Sequence, residues 1–156
     1  MIGPSWTDTD DTFFFDYEQM PSFDGPGDWG CRILPDSPIE AFHLTCINDG
    51  GVFPTDPNGS EGLILKYPCK DGCDVKEAAR IVRRVSDFPD PLRGRDYATA
   101  AETQPDNDTN PGAVRFVMAT PWRAGDHIVV ASIVAMPEDF DDVRKMVRSI
   151  YESARG

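Results

Sequence analysis

Nine residues near the C-terminal end, His127 to Ala135 (HIVVASIVA), constrain this chain more than any other stretch. They are almost all apolar and many are β-branched, the composition of a strand buried on both faces. Met136-Pro137 breaks the run, Glu138-Asp139 give an acidic start, and FDDVRKMVRSIYES follows. Phe140, Val143, Val147, Ile150 and Ala154 recur at helical spacing, so a helix over 138–154 is expected to fold back over the strand. Its early acids, followed by Arg144, Lys145 and Arg148, suit the helix dipole. Asp141–Lys145 and Arg148–Glu152 stand at ion-pair spacing along it. The rest of the chain must supply strands and a second helix to cover the buried strand.

The upstream sequence offers both. Ala113 to Thr120 (AVRFVMAT) reads as the hairpin partner of 127–135, with PWRAGD as the connection and Trp122 at its tip. Shorter strands are expected over 12–17, 29–34, 41–48, 62–67 and 96–102. In 41–48 the alternation places Phe42, Leu44 and Cys46 on one side and His43, Thr45 and Ile47 on the other. Asp74 with Glu77 three residues on marks a helix start, and Val75, Ala78, Val82 and Val85 form its stripe, giving a helix over 74–87 stopped by Pro89 and Pro91. The fold expected is α+β: a twisted, mainly antiparallel sheet of about five to seven strands with two covering helices. It is read as one domain over 12–156 behind a flexible acidic leader at 1–11.

Charge and cysteines bear on where such a domain works. The net charge of −12 disfavours nucleic acid and anionic membrane surfaces, and it permits a basic protein partner. No stretch has the length of a membrane span, and the opening MIGPSW lacks the basic region and apolar run of a signal peptide. That leaves a cytosolic protein, or a domain that follows a removed signal or anchor. Four cysteines, Cys31, Cys46, Cys69 and Cys73, permit two disulfides. The expected pairs are Cys31–Cys46, on adjacent strands, and Cys69–Cys73, closing a short loop through Gly72. A four-cysteine zinc site competes, since Cys-x3-Cys falls within ligand spacing, as do free buried thiols. Disulfides would indicate an oxidising, extracytoplasmic space.

Catalytic signatures are lacking: there is no Gly-x-Ser-x-Gly, no phosphate-binding glycine loop and no His-Glu-x-x-His. His43 and His127 stand far apart in strands and are read as structural, and no catalytic residue, cofactor or metal is assigned. Alternating oxygens at Asp106, Asp108, Asn110 and at Asp56, Asn58, Ser60 resemble calcium loops, but Pro111 and Val117 stand where an EF-hand needs Gly and Glu. The loop aromatics Tyr17, Phe23, Trp29, Phe53 and Trp122 are candidate partner-binding residues if they emerge on one face. Otherwise they plug the ends of the sheet.

The order of elements, with the apolar last strand, the acidic Pro-containing turn and the closing helix at 113–153, resembles the PsbP-like fold. Trp29-Gly30-Cys31 and Cys69-Lys70-Asp71-Gly72-Cys73 also resemble exported actinobacterial proteins. The resemblance implies the outer part of an exported or anchored protein; the cysteine pattern, the tether-like opening PSWTDTDDT and the lack of a catalytic signature lead to a non-enzymatic, extracytoplasmic binding or accessory domain with a protein or cell-envelope partner. The resemblance transfers no site residue. The alternative is a cytosolic, acidic inhibitor- or immunity-type protein that binds a basic partner, which rests on the charge.

Overall fold

A computed structural model describes residues 2–16, 20–34, 42–48, 59–69, 72–86, 88–104 and 112–156. Its frame is a seven-stranded sheet with the order β3 (Gly30–Ile33), β4 (Phe42–Ile47), β5 (Glu61–Pro68), β9 (His127–Ala135), β8 (Val114–Pro121), β7 (Ala98–Thr103), β6 (Leu92–Arg93). Every described pairing is antiparallel. The apolar run at 127–135 is the middle strand, β9, paired with β5 on one side and β8 on the other. Such a strand meets solvent on neither face nor edge, which is why its sequence does not alternate.

Each face of the sheet has its own cover. Val129, Ala131 and Ile133 of β9 share one core with Leu44, Cys46, Ile64 and Met118, and with Val143, Met146, Val147 and Ile150 of the closing helix α2 (Phe140–Arg155). A turn of 3-10 helix, Pro137–Asp139, leads into α2. Ile128 and Val130 point the other way, into a second core with Leu65, Val117 and Ala119 under Ala78, Ala79, Ile81 and Val82 of α1 (Val75–Ser86). The start of α1 is fixed as its sequence indicates: Asp74 Oδ1 accepts the Glu77 N–H at 2.9 Å. The Glu77 carboxylate does not reach back to complete a capping box; it turns to Arg80. Gly62 lets β5 lie close to β9, because a Cβ there would sit 2.5 Å from Ile133 Cγ1 and 2.9 Å from its Cα.

Three features depart from the sequence reading. The Pro/Gly-rich stretch at 18–30 contains a strand, β2 (Phe23–Pro26), which pairs with β1 (Thr12–Phe15) as a separate two-stranded ribbon. Proline and glycine are tolerated because the ribbon lies outside the main sheet and both its strands are edges. The ribbon packs along α2, where the Asp24 N–H is donated to Ser149 Oγ at 2.9 Å. The residues read as a flexible leader are laid on the same helix. Ile2 and Trp6 pack against the core, Arg148 donates to the Gly3 carbonyl at 2.9 Å, and Lys145 pairs with Asp10. Lys145 therefore meets Asp10 and not Asp141, whereas Arg148–Glu152 forms at 2.7 Å as its spacing indicates. Among the described residues no helix is long and apolar enough to cross a membrane.

Candidate functional site

One end of the sheet gathers carboxylates from three parts of the chain. Asp28 comes from the β2–β3 turn, Glu138 and Asp139 from the 3-10 turn, and Asp142 from the first turn of α2. The anchor is Ser60, fully buried where β5 begins. Its hydroxyl accepts the Met136 N–H at 2.9 Å and donates to Asp139 Oδ2 at 2.5 Å. Ser60 thus ties the start of β5 to the end of β9 and fixes the Asp139 carboxylate. The Asn48 side chain also hydrogen-bonds Asp139, and its Oδ1 is buried without a partner among the described residues. Asp139 occupies the N-cap position of α2 but makes no side-chain cap, being held by Ser60 and Asn48.

The electrostatics follow from this placement. Burial pushes Asp139 above its ordinary value; repulsion from Glu138 and Asp28 adds to it, while the hydrogen bonds from Ser60 and Asn48 pull back. Asp142 is also pushed up, first by burial, with Asp139, Asp28 and Asp10 repelling it and Lys145 opposing them. Lys145 is engaged with Asp10 at 3.1 Å, its ammonium 5.5 Å from the Trp6 ring centre. Asp10 is accordingly lowered, first by the Thr7 backbone amide and then by Lys145. The positive end of the α2 dipole stabilises these acids in part. What remains is a group of mutually repelling carboxylates, Asp139 among them held by Ser60, and their charge is complementary to a guanidinium or ammonium group. Among the described residues no three His, Cys, Asp or Glu side chains converge as metal ligands.

The candidates named from sequence fall elsewhere. Phe23, Trp29 and Trp122 are buried, so they plug the fold and are not open to a partner. Phe23 is held there by the β1–β2 ribbon, against Phe13 and Phe15. Trp122 is not an exposed hairpin tip: Lys66 Nζ lies 4.6 Å and Arg123 Cζ 4.2 Å from its ring centre, and it sits in the α2-side core. Tyr17 and Phe53 lie outside the described residues, as do Asp56, Asn58, Asp106, Asp108 and Asn110. His43 packs edge-on to Tyr67, and His127 Nδ1 lies 2.8 Å from Asp126 Oδ1. The histidines are not brought together: His43 is on β4 and His127 at the far end of β9. Cys31 is joined to Cys46 across β3 and β4, and Cys69 to Cys73 in the approach to α1. The two pairs pack against opposite cores, so the four sulfurs are not assembled for one zinc ion.

Sequence reading passed over the acidic end because Asp28, Ser60 and Asp139 are far apart in the chain. A local signal existed only at Glu138–Asp142, where four acids in five residues exceed what capping one helix requires. Lys66 was also passed over, although the alternation Gly62, Ile64, Lys66 puts it on the apolar face of β5. Burial pulls its ammonium below the ordinary value, against the attraction of Asp126.

No protein-family model matches the chain, and no curated protein matches it. Two solved structures share its fold. A point mutant of the protein Mog1 superposes with a TM-score of 0.53 at 15% identity, covering 92% of each chain. The Ran-binding protein Mog1p of Saccharomyces cerevisiae gives 0.53 at 14% identity, covering 94% of this chain and 93% of that one. This corrects the PsbP-like resemblance: the α+β class and antiparallel sheet stand, but both of these similar structures are Mog1 proteins and neither is PsbP. The reading of an exported or anchored accessory domain with a cell-envelope partner rested on the cysteine pattern, the tether-like opening and the lack of a catalytic signature. The likeness to Mog1 proteins, one of them a Ran-binding protein, corrects that reading too, together with the extracytoplasmic location and the secreted character.

Proposed function

We propose that this chain is a protein-binding protein whose acidic end docks on a basic face of a partner, the partner class being a small GTPase of the Ran kind. The observation that carries the reading is the held carboxylate group: Asp139 and Asp142, both raised above their ordinary value by burial and by neighbouring acids that include Asp28. Folding has already brought these charges together, so a cationic side chain gains their attraction without paying to assemble them. The net charge of −12 favours approach of a basic surface at long range. The partner class is drawn from the shared fold with Mog1p, which is a Ran-binding protein. This reading lies nearer to the alternative drawn from the charge, an acidic inhibitor- or immunity-type protein with a basic partner, than to an accessory domain.

The test is calorimetric titration of purified Ran into the protein at two salt concentrations, with wild type and the double variant Asp28→Asn, Asp142→Asn. The expected result is binding that weakens with salt, and a further loss of about tenfold or more in the variant. The variant's melting temperature should not fall. Absence of binding, or equal affinity for both proteins, would sink the reading.

A further inference from the structure

The far edge of the sheet, beyond β7, borders a groove that reaches the first turn of α2 at Phe140 and Asp141. We propose that β7 accepts an extended segment of a partner protein as an added antiparallel or parallel strand, with alternate side chains of that segment seated in the adjoining groove. The backbone pattern shows which groups are free. Gln104 donates its N–H to the Ala113 carbonyl at 3.0 Å, so its peptide groups face β8. By register Glu102, opposite Arg115, and Ala100, opposite Val117, face β8 as well. The residues between them face outward. Gly94 donates to the Tyr97 carbonyl at 2.8 Å, and Leu92 stands opposite Thr99, so Tyr97 and Thr99 are turned toward β6. Among the described residues no strand follows beyond β6, and Pro91, which precedes Leu92, cannot donate to a ladder. Ala101 and Thr103 are therefore left with outward N–H and C=O groups that have no ladder partner among the described residues, and both are exposed.

An edge of this kind is usually blunted by lysine, proline or a bulge. The sequence of β7, ATAAET, has none of the first two, and its register with β8 runs without interruption. Beside the edge lies a groove of about 430 Å³ between β7 and α2, lined mainly by Leu92, Ala101, Phe116, Phe140 and Val147, with Arg144 at the rim. Leu92, at 60% exposed, is one of its walls. A strand placed on β7 would send every second side chain to the α2 face of the sheet, where this groove opens. Unpaired backbone groups and an apolar trough side by side are the two halves of strand-addition recognition: main-chain bonds hold the segment and the trough selects its alternate residues. A second copy of the chain would reveal itself by its stoichiometry, and a small amphipathic molecule would fill the trough without using the backbone edge.

The probe is a phage-displayed library of random 12-residue peptides, selected on the whole protein, with the strongest binder then synthesised. The expected result is enrichment of sequences with apolar residues at alternate positions. Their binding should be lost on N-methylation of alternate backbone amides and should slow hydrogen exchange at Ala101 and Thr103. Ala101→Pro removes an outward N–H without touching the β8 ladder, and should lower affinity about tenfold. Leu92→Lys, on an exposed side chain, guards against a folding defect in the first variant and should also weaken binding by altering the trough. Failure to enrich any such peptide overturns the proposal, as does binding that survives both substitutions or N-methylation. A dimer of the chain that Ala101→Pro dissolves overturns it too, since the edge would then serve a second copy. None of these outcomes depends on whether Ran binds the acidic end.

Discussion

Tyr151 shows how a single residue links packing to pH. Its hydroxyl donates to Asp96 Oδ1 at 2.6 Å, its ring meets Tyr97 edge-on at 5.2 Å, and Asp96 is also paired with Arg155. Burial pushes the phenol from 10.0 up to about 12, and the hydrogen bond to Asp96 and that carboxylate's charge add to the rise. A raised value means the folded state holds the proton more tightly than the unfolded one. The stabilisation is complete below pH 10 and is lost as pH climbs toward about 12. Ultraviolet titration should show one tyrosine ionising near the top of that window, and Tyr151→Phe should cost about 1 kcal/mol at neutral pH. Ionisation of all tyrosines near pH 10 would contradict this. Asp142 has the same sign but a different consequence. Its raised value means protonation favours the fold, so the benefit exists at acid pH and disappears as pH rises through the raised carboxylate range. At neutral pH its charge opposes folding, and Asp142→Asn should raise the melting temperature while weakening partner binding. A lowered melting temperature would show that this carboxylate is structural.

At the scale of elements, legibility followed locality. The strand at 127–135 was readable from its unbroken apolar run and the helix after it from its helical period, and the structure makes them β9 and α2. Helix α1 was readable from Asp74 and the stripe through Val82 for the same reason. β2 was not, because Phe23-Asp24-Gly25-Pro26 is turn chemistry by composition and becomes a strand only through pairing with β1 and docking on α2. β6 was missed since two residues hold no period. The packing of α2 yields a direct check. Ile150 is fully buried in the core between α2 and the sheet. Ile150→Ala should lower unfolding free energy by about 2–5 kcal/mol in a urea melt. A loss below about 1 kcal/mol would mean that α2 is not integral to the core.

For the whole molecule, the charge permitted a basic partner without indicating one. The resemblance drawn from element order led to the wrong neighbours, because many α+β chains share strands followed by a closing helix. The acidic end escaped detection because it forms only when the β2–β3 turn, the start of β5 and the start of α2 meet; no window of sequence holds all three. The proposed docking surface is this meeting point. Backbone amide shifts recorded during titration with Ran test it. The largest changes should fall at Asp28, Ser60 and Glu138 to Asp142, and salt should reverse them. Changes confined to other surfaces, or no changes at all, would contradict it.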